Sequence, residues 1–291
     1  MIIYLVDAFT TQRYAGNPAG VVILTNQTAF PENETMRLLA AELKHSEAAF
    51  VMQQSPTTFQ VRYFTPVEEV DLCGHATIAA FSVLREEGFV KPGHCRAVTQ
   101  AGELNISIEQ DRIWMDMATP HTLQVLSLEE SSTFYQAFGL DLSHQPANLV
   151  PKIVSTGLAD ILLPVNSRES LDEALQRIPA VIQLCENYDT VGIHLFYVTE
   201  DETDSITAHC RNFAPRFGID EESATGTANG ALTYYLYQYG LIQPERENLF
   251  LQGAAMGKPS MITSQLFLVN HQILIRIGGQ AVIVMKGQLW S

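Results

Sequence analysis

The sequence predicts an α/β (α+β) protein made of two pseudo-symmetric halves, each a curved, mostly antiparallel sheet wrapped around a central helix. Three observations lead to this prediction. Short strand-like segments outnumber helical ones, two helical segments are apolar on nearly every side, and one pattern of residues occurs twice. Because a helix that is apolar all round is usually buried, each copy of the pattern is expected to lead into the central helix of its own half.

The repeated pattern consists of an Arg-X-Phe-X-Pro run followed by a glycine that opens an apolar segment. The first copy is RYFTP at residues 62–66 with CGHATIAA at residues 73–80, and the second is RNFAP at residues 211–215 with TGTANGA at residues 225–231. A repeat of this kind indicates a duplicated unit. Two such units facing each other would form a cleft with one helix N-terminus from each half, so we expect one site there.

Strands are predicted where apolar and polar residues alternate or β-branched residues cluster. The alternation is clear in LNISI at residues 104–108. In the first half the predicted strands lie at residues 2–6, 20–24, 48–52, 58–64, 104–108 and 112–117. In the second half they lie at residues 159–165, 193–199, 205–213, 266–269 and 273–277.

Helices are predicted in fewer places. The segments lie at residues 34–43, 74–87, 128–138, 170–178 and 226–239. Those that begin at residues 74 and 226 are the two that follow the repeated pattern and carry apolar residues on nearly every side.

A domain boundary is expected near residues 118–121, where a strand pattern gives way to polar sequence. We therefore predict an N-terminal domain of residues 1–120, completed by a C-terminal strand at residues 280–291. The C-terminal domain is expected to span residues 121–279.

The composition favours small-molecule chemistry. The chain has 291 residues with 17 basic and 32 acidic side chains, and its net charge of -15 argues against binding to nucleic acid or to an anionic membrane. Its four cysteines form no CxxC pair, so neither a metal site nor a disulfide framework is predicted. The first residues lack the features of a signal peptide, and no apolar run reaches about 20 residues, so we expect a cytoplasmic protein without a membrane span.

Gly74 and Gly226 each open a predicted central helix. The free N–H groups and the dipole of a helix N-terminus attract anions, and glycine lets a ligand approach the backbone. Two such termini would hold a carboxylate, so the expected partner is a small carboxylated metabolite. The alternative is that each glycine merely allows the turn from strand to helix.

Glu47 immediately precedes an apolar strand. A partly buried carboxylate has a raised pKa and can take and return a proton near neutral pH. Alternatively, Glu47 is a solvated residue at the entrance of a strand. When residues 50–51 are aligned with residues 197–198, His194 matches Glu47 and becomes a second candidate.

Three further side chains lie close to the two glycines. Glu222 is placed to bind a cationic or hydroxyl group of a ligand, unless it only caps the helix. His75 is a candidate acid, base or hydrogen-bond donor, against the alternative of a satisfied helix-start histidine. Cys73 is a candidate thiolate base because a helix N-terminus lowers a thiol pKa, although a lone thiol is more often simply buried. Its repeat partner is Thr225, which disfavours a symmetrical two-thiol racemase.

The chain resembles the PhzF family, the phenazine-biosynthesis-like isomerases. The resemblance is carried, in order along nearly the whole chain, by residues 6–10, 16–22, 46–51, 71–77, 222–229 and 252–260. It implies a diaminopimelate-epimerase-like fold, a homodimer, a role in a biosynthetic process, and isomerisation without a cofactor by a glutamate that moves a proton. The last of these segments also lacks the glycine patterns of nucleotide-binding loops.

The resemblance also implies roles for individual residues. The catalytic glutamate matches Glu47, whereas the substrate carboxylate and its neighbouring groups are expected at Gly74, His75, Gly226 and Thr227. A polar substituent is expected at Glu222. Asn17, within one of the matching segments, is a further candidate site residue.

Three departures from the phenazine enzyme argue against its substrate. Glu222 and Thr227 stand where that enzyme has aspartate and serine, and Cys73 precedes the glycine as in cysteine-dependent epimerases. A longer acid and a bulkier hydroxyl residue should reshape the pocket.

The sequence therefore favours a cofactor-independent isomerase that acts on a small carboxylated molecule. One alternative is an amino-acid epimerase or racemase in which Cys73 acts with Glu47 or His194. The other is a metabolite-binding protein that has no catalytic activity.

Overall fold

The computed structural model describes residues 1–25, 28–199 and 205–289, and the chain divides into two compact units. The first unit comprises Met1–Asp116 and the segment from Gly278 onwards, and the second comprises Met117–Ile277. Each unit has its own strands and its own central helix. Within the described residues, no helix is long and apolar enough to cross a membrane.

The strands are numbered in chain order. They are β1 (Ile2–Ala8), β2 (Asn17–Ile23), β3 (Ala48–Ser55), β4 (Thr58–Phe64), β5 (Glu69–Val70), β6 (Gly93–Thr99), β7 (Gly102–Ile108), β8 (Ile113–Asp116), β9 (His121–Val125), β10 (Lys152–Ser155), β11 (Ala159–Pro164), β12 (Gly192–Val198), β13 (Ala208–Ala214), β14 (Ile219–Glu222), β15 (Glu247–Gln252), β16 (Ser260–Val269), β17 (Gln272–Gly279) and β18 (Ala281–Gln288).

The α-helices are shorter in total than the strands. They are α1 (Asn33–Leu43), α2 (Gly74–Glu86), α3 (Leu128–Ala137), α4 (Arg168–Glu173), α5 (Ile178–Asn187) and α6 (Gly226–Gln238).

The first unit pairs its strands in the order β18-β1-β2-β3-β4-β6-β7-β8. Only β2 with β3 and β4 with β6 are parallel. Helix α2 contacts β1, β2, β3, β8 and β18, which places it against strands from both ends of this order. The sheet therefore curls around α2.

The second unit repeats this arrangement with the order β9-β10-β11-β12-β13-β15-β16. Its two parallel pairs, β11 with β12 and β13 with β15, stand at the corresponding places. Helix α6 packs against β10, β11 and β16. The predicted architecture of two related halves with central helices is confirmed.

A matched ion pair marks the same place in both units. Nε of Arg62 donates to Glu69 across 2.7 Å, and Nε of Arg211 donates to Glu221 across 2.9 Å. Both arginines belong to the repeated pattern, and both carboxylates come from the short strand before the central helix. These pairs fix the residue-by-residue correspondence between the units.

Burial explains the apolar character of the central helices. Every residue of α2 from His75 to Leu84 is buried, and small alanines alternate with Ile78 and Phe81. The Phe81 ring meets Phe59 of β4 edge to face, with ring centroids 5.6 Å apart. Each large apolar side chain buried in this way stabilises the fold by about 1.5–3 kcal/mol.

The outer face of each sheet is covered by the remaining helices. In the second unit α3 and α5 pack over a cluster that includes Phe134, Leu195 and Phe213. In the first unit Met36 of α1 packs with Phe50 of β3. Because side chains alternate across a strand, residues next to these outward positions point towards the central helix.

The helix predicted at residues 170–178 is wrong. Helix α4 starts earlier, since the Ser167 side chain accepts a hydrogen bond from the Ser170 N–H, and it ends before Ala174, which is extended. Helix α5 then begins at Ile178, with Pro179 in its first turn, where a missing N–H group is harmless.

Several strands were not predicted. They are β5, β6, β9, β10, β14 and β15, which are short or polar and gain their order from pairing with neighbours. Strand β18 lies within the C-terminal strand predicted at residues 280–291, of which residues 290 and 291 are outside the described part of the chain.

Candidate active site

The first central helix begins at Gly74, directly after the extended residue Cys73. Thr77 fixes this start, because its backbone N–H and its Oγ1 both donate to the Cys73 carbonyl, at 3.0 and 2.7 Å. Thr77 Oγ1 also lies 2.6 Å from the hydroxyl of Tyr63 in β4. The turn is therefore tied to the sheet beneath it.

Glu47 reaches this helix start from the residue before β3. Its backbone carbonyl accepts a hydrogen bond from Gly20 at 3.2 Å, which holds the main chain against β2. Its Oε2 lies 3.4 Å from Nε2 of His75, and its side chain is 13% exposed whereas that of His75 is 3% exposed. Glu47 is therefore a carboxylate at the edge of solvent beside a buried imidazole.

Cys73 completes a group of three reactive side chains. Its Sγ lies 3.5 Å from Nδ1 of His75, and the candidate ligand atoms of Glu47, Cys73 and His75 all lie within 4.8 Å of one another. The structure thus brings together three of the residues singled out in the sequence, although Glu47 is distant from the other two along the chain.

The thiol of Cys73 does not have the lowered pKa expected at a helix N-terminus. Burial raises the pKa of this thiol, and the negative charge of Glu47 raises it further, whereas His75 acts in the opposite direction. The loss of solvation therefore outweighs the helix dipole, which favours the alternative of a simply buried thiol over a thiolate base.

The second central helix begins at Gly226 in a network of hydroxyl and amide groups around the Glu222 carboxylate. Oγ1 of Thr225 donates to Oε2 of Glu222 across 2.6 Å. Gln252 bridges three groups: its amide donates to the Glu222 carbonyl at 2.7 Å, and its Oε1 accepts from the Thr225 N–H at 3.2 Å and from Asn229 at 2.8 Å. Glu222 is therefore anchored next to the start of α6.

Gln252 was not singled out from the sequence. It lies at the end of β15, and the only signal was its place at the start of a segment that carries the family resemblance. Thr227, in the first turn of α6, is buried, and its carbonyl accepts a hydrogen bond from Thr156 at 3.1 Å. Thr227 and Glu222 thus lie on either side of Gly226, at the start of the helix.

Asn17 lies apart from these elements in sequence and begins β2. It is buried and stands opposite Ala8 of β1. Its role stays a prediction.

His194 occupies a different place from the one assigned by sequence alignment. In the strand register Arg62 lies opposite Phe50, and its counterpart Arg211 lies opposite Leu195. Phe50 therefore corresponds to Leu195. The residue three positions before each is Glu47 in the first unit and Gly192 in the second, so Glu47 matches Gly192 and not His194. The alignment through residues 197–198 was wrong because it was shifted by two residues along β12.

The second unit has no room for a side chain at the position that matches Glu47. A Cβ atom on Gly192 would lie 2.6 Å from the carbonyl oxygen of Phe213, which is backbone and cannot easily move away. The carboxylate at the strand entrance is therefore a feature of the first unit alone.

His194 itself is fully buried beneath α6. Its Nδ1 lies 3.1 Å from Oδ1 of Asn212. Burial lowers the pKa of His194 to about 4, although Asn212, Asn229 and the charge of Glu222 favour the protonated form. The imidazole is therefore neutral near pH 7.

Asp160 is a buried acid that sequence analysis missed. It stands next to Gly192 in the parallel pairing of β11 with β12, and no described residue donates a hydrogen bond to either of its carboxyl oxygens. Burial, followed by the charge of Glu222, raises the pKa of Asp160 to about 8. The available signal was an aspartate within the otherwise apolar segment at residues 159–164.

The chain matches known proteins over nearly its full length. The family model described as "Phenazine biosynthesis-like protein" matches residues 6–287. An uncharacterized isomerase of Clostridium acetobutylicum is 31% identical over 297 residues, which cover 99% of this chain and 97% of that protein.

Solved structures share the fold. A phenazine biosynthesis protein of the PhzF family from Bacillus anthracis matches with a TM-score of 0.88 at 26% identity, and the match covers 100% of this chain and 99% of that one. A hydroxyproline epimerase from Agrobacterium vitis matches with a TM-score of 0.63 at 13% identity over 99% of this chain and 90% of that one. The second match shows the fold alone, and it agrees with the epimerase-like architecture expected from the sequence.

Proposed function

Because the chain belongs to the phenazine biosynthesis-like (PhzF) family of isomerases, we propose that it moves a proton on a small carboxylated molecule without a cofactor, with Glu47 as the acid and base. One observation carries this proposal. The Glu47 side chain is 13% exposed, and its buried Oε2 lies 3.4 Å from the buried His75 imidazole at the start of α2. A carboxylate held there can reach a bound molecule and keep a fixed orientation.

The proposed reaction is an internal proton transfer. Glu47 removes a proton from a carbon activated by neighbouring unsaturation or a carbonyl group, and the electrons of the broken C–H bond move into the adjacent π-system. The same carboxyl group then returns the proton to a different carbon. No atom is gained or lost, and positioned acid–base catalysis of this kind contributes about 10²- to 10⁴-fold to the rate.

The helix starts would stabilise the negative charge. The positive ends of the helix dipoles at Gly74 and at Gly226 are suited to a carboxylate and to the charge that develops when the proton leaves. His75 would hold Glu47 in place or donate a proton to the substrate. Whether both helix starts serve one substrate stays a prediction from the duplication.

The family resemblance assigns substrate-binding roles to Glu222 and Thr227. Glu222 accepts a hydrogen bond from Thr225, and its remaining acceptor capacity suits a hydroxyl or amino group of the substrate. Thr227 stands in the first turn of the same helix. Their departure from the aspartate and serine of the phenazine enzyme supports a different substrate.

The distance of 3.5 Å between Cys73 Sγ and His75 favours one rival, an epimerase in which the thiol is a second base. The raised pKa of the thiol argues against it, as does Thr225 at the matching position. A binding protein without activity is the other rival. The distance of 3.4 Å between Glu47 and His75 supports a catalytic site over a site that only binds a metabolite.

The test is isotope exchange. The protein is incubated in D₂O with small cyclic and acyclic carboxylic acids, and deuterium gain is followed by NMR. We expect exchange in at least one acid with wild type, a loss of about 10²- to 10⁴-fold in Glu47→Gln, and a much smaller loss in Cys73→Thr. Retained exchange in Glu47→Gln would contradict the assignment, loss in Cys73→Thr alone would favour the epimerase, and binding without exchange would favour the binding protein.

We also propose a cytoplasmic homodimer that binds neither nucleic acid nor membranes. The support is the family resemblance for the dimer and, for the lack of nucleic-acid and membrane binding, the net charge of -15. Sedimentation velocity would test the dimer directly.

A further inference from the structure

We propose that Glu47, Cys73 and His75 form a binding site for a soft divalent cation, with Zn²⁺ as the best match. The residues offer a sulfur, an imidazole nitrogen and a carboxylate oxygen, all within 4.8 Å of one another. These are the three kinds of atom that zinc binds in proteins. The spacing along the chain gave no sign of this site, because Glu47 joins the other two residues only through the fold.

The distance between Glu47 and His75 fits two ligands of a tetrahedral ion. Zinc binds sulfur at about 2.3 Å and nitrogen or oxygen at about 2.0–2.2 Å, so tetrahedral nitrogen and oxygen ligands stand about 3.4 Å apart, and sulfur and nitrogen about 3.6 Å apart. Nε2 of His75 lies 3.4 Å from Oε2 of Glu47 and 3.9 Å from Sγ of Cys73. The distance between Glu47 and His75 therefore suits two ligands of one ion. Sγ of Cys73 lies nearer to Nδ1 of His75, at 3.5 Å, so the Cys73 or His75 side chain must rotate before the sulfur can join an ion held by Nε2.

The charges of the site also fit. A thiolate and a carboxylate together cancel the two positive charges of the ion, and the imidazole binds in its neutral form. A site with no net charge avoids much of the cost of burying an ion. When the ion binds, the S–H bond of Cys73 breaks, a sulfur–metal bond forms and the proton passes to water.

An ion can reach the site from solvent. Cys73 and His75 are buried, and so is the Glu47 Oε2 that faces His75, but the Glu47 side chain as a whole is 13% exposed, which leaves an approach past its remaining atoms. The fourth position of the ion would be taken by water, as in other zinc sites with three protein ligands.

The second unit supplies a matched comparison within the same chain. At the positions that correspond to Cys73, His75 and Glu47 it has Thr225, Thr227 and Gly192. This set offers hydroxyl groups and no soft ligand, so no second site is expected there. It also shows that threonine is compatible with this helix start, which makes Cys73→Thr and His75→Thr suitable variants.

Bound zinc would oppose the proposed reaction. The carboxylate oxygen of Glu47 that holds the ion has its electrons engaged by the metal and is no longer available to take a proton. This consequence rests on the proposed function, whereas the binding site itself does not.

Metal binding is measured on the full chain after treatment with a chelator and its removal. Zn²⁺ is titrated by calorimetry, and Co²⁺ is titrated while the absorption from thiolate-to-cobalt charge transfer is recorded. We expect one ion per chain for wild type, a thiolate band with Co²⁺, and affinity at least about 100-fold weaker in Cys73→Thr and in His75→Thr. Circular dichroism of each variant verifies the fold.

Cys95→Ala is the matched control, because it removes a different buried thiol and leaves the three residues in place. It should bind like wild type. A thiolate band that persists in Cys73→Thr, or one that disappears in Cys95→Ala, would overturn the site. Equal affinity of wild type and both threonine variants would do the same.

The two proposals fail separately. The titrations involve no substrate, so absence of isotope exchange leaves the metal site untouched. If one equivalent of Zn²⁺ binds at the three residues and exchange continues undiminished, the site stands and the inhibition is refuted.

Discussion

The two central helices start in the same way, but the side chains around them differ in chemistry. At the start of α2, ionisable groups gather: a carboxylate, a thiol and an imidazole from Glu47, Cys73 and His75. At the start of α6, Thr225 and Gln252 form a network of hydroxyl and amide groups that anchors Glu222. The two units therefore share the same backbone arrangement. The start of α2 carries groups that can transfer protons, whereas the start of α6 carries groups that form fixed hydrogen bonds.

The difference extends beneath the helices. The strand register matches Ala49 of the first unit with His194 of the second, and Ala19 with Asp160. His194 and Asp160 are both fully buried, whereas the Glu47 side chain lies at the edge of solvent. A titratable group that reaches solvent can act on a ligand, while one sealed under a helix acts mainly on stability.

The largest expected effect is a fall in kcat, which we expect for substitution of Glu47 and not for substitution of Glu222. If only the first unit transfers protons, Glu47→Gln should lower kcat by about 10²- to 10⁴-fold. Glu222→Gln should mainly raise KM, by roughly 10-fold, because it weakens one hydrogen bond from a charged group. Steady-state kinetics on a substrate identified by isotope exchange would measure both, and a similar fall in kcat for both variants would abolish the distinction.

A second prediction tests the register that matches Gly192 with Glu47. Gly192→Ala should destabilise the protein by roughly 3 kcal/mol, because the new Cβ would lie 2.6 Å from the Phe213 carbonyl oxygen. Urea unfolding gives the free energy.

Gly287→Ala is its control, since a Cβ in β18 would stand 3.5 Å from a side-chain carbon of Ile3, an ordinary contact. Its change should stay within about 1 kcal/mol. A tolerated alanine at residue 192 would contradict the steric account.

A third prediction concerns the hydrogen-bond network of the second unit. Gln252→Ala removes the bridge between Glu222, Thr225 and Asn229, and we expect a loss of roughly 2–3 kcal/mol in the free energy of unfolding because buried polar groups lose their partners. Gln54→Ala removes a hydrogen bond between two exposed side chains and should change stability by less than about 0.5 kcal/mol. If Gln252→Ala and Gln54→Ala lowered the free energy of unfolding equally, the network would contribute nothing to stability.

A fourth prediction concerns the dependence of stability on pH. The pKa of Asp160 is raised from 3.8 to about 8 by folding, so between these values the folded state holds a proton that the unfolded state has lost. The contribution of this group to stability therefore falls as pH rises from about 4 to about 8.

Asp160→Asn should remove that dependence. The variant should become progressively more stable relative to wild type as the pH rises across this range. Urea unfolding of both proteins at pH 5 and pH 8 measures the difference, and a constant difference would show that Asp160 does not titrate in this range.

The duplication and the central helices could be predicted because local patterns determine them. Residues 74–87 and 226–239 are apolar on nearly every side, and the glycines before them repeat with the arginine run. The break between α4 and α5 was missed because the apolar residues continue across Ala174, where the chain is extended.

The site residues were predictable to the extent that they follow the repeated glycines or the family resemblance. His75, Cys73 and Glu222 stand within a few residues of the helix starts. Gln252 and Asp160 were missed, since their contacts depend on strands that are distant in sequence. The error with His194 arose from the register of β12, which only the pairing with β13 reveals.

The pairing of β1 with β18 has a consequence for the order of folding during synthesis. Ile2 is the partner of Gln288, so the first unit lacks one strand until almost the last described residues have left the ribosome. The second unit is one continuous stretch, Met117–Ile277, and has all its strands before β18 is made. The half that contains Glu47 is thus the last to be completed, after the half that contains Glu222 and its hydrogen-bond network.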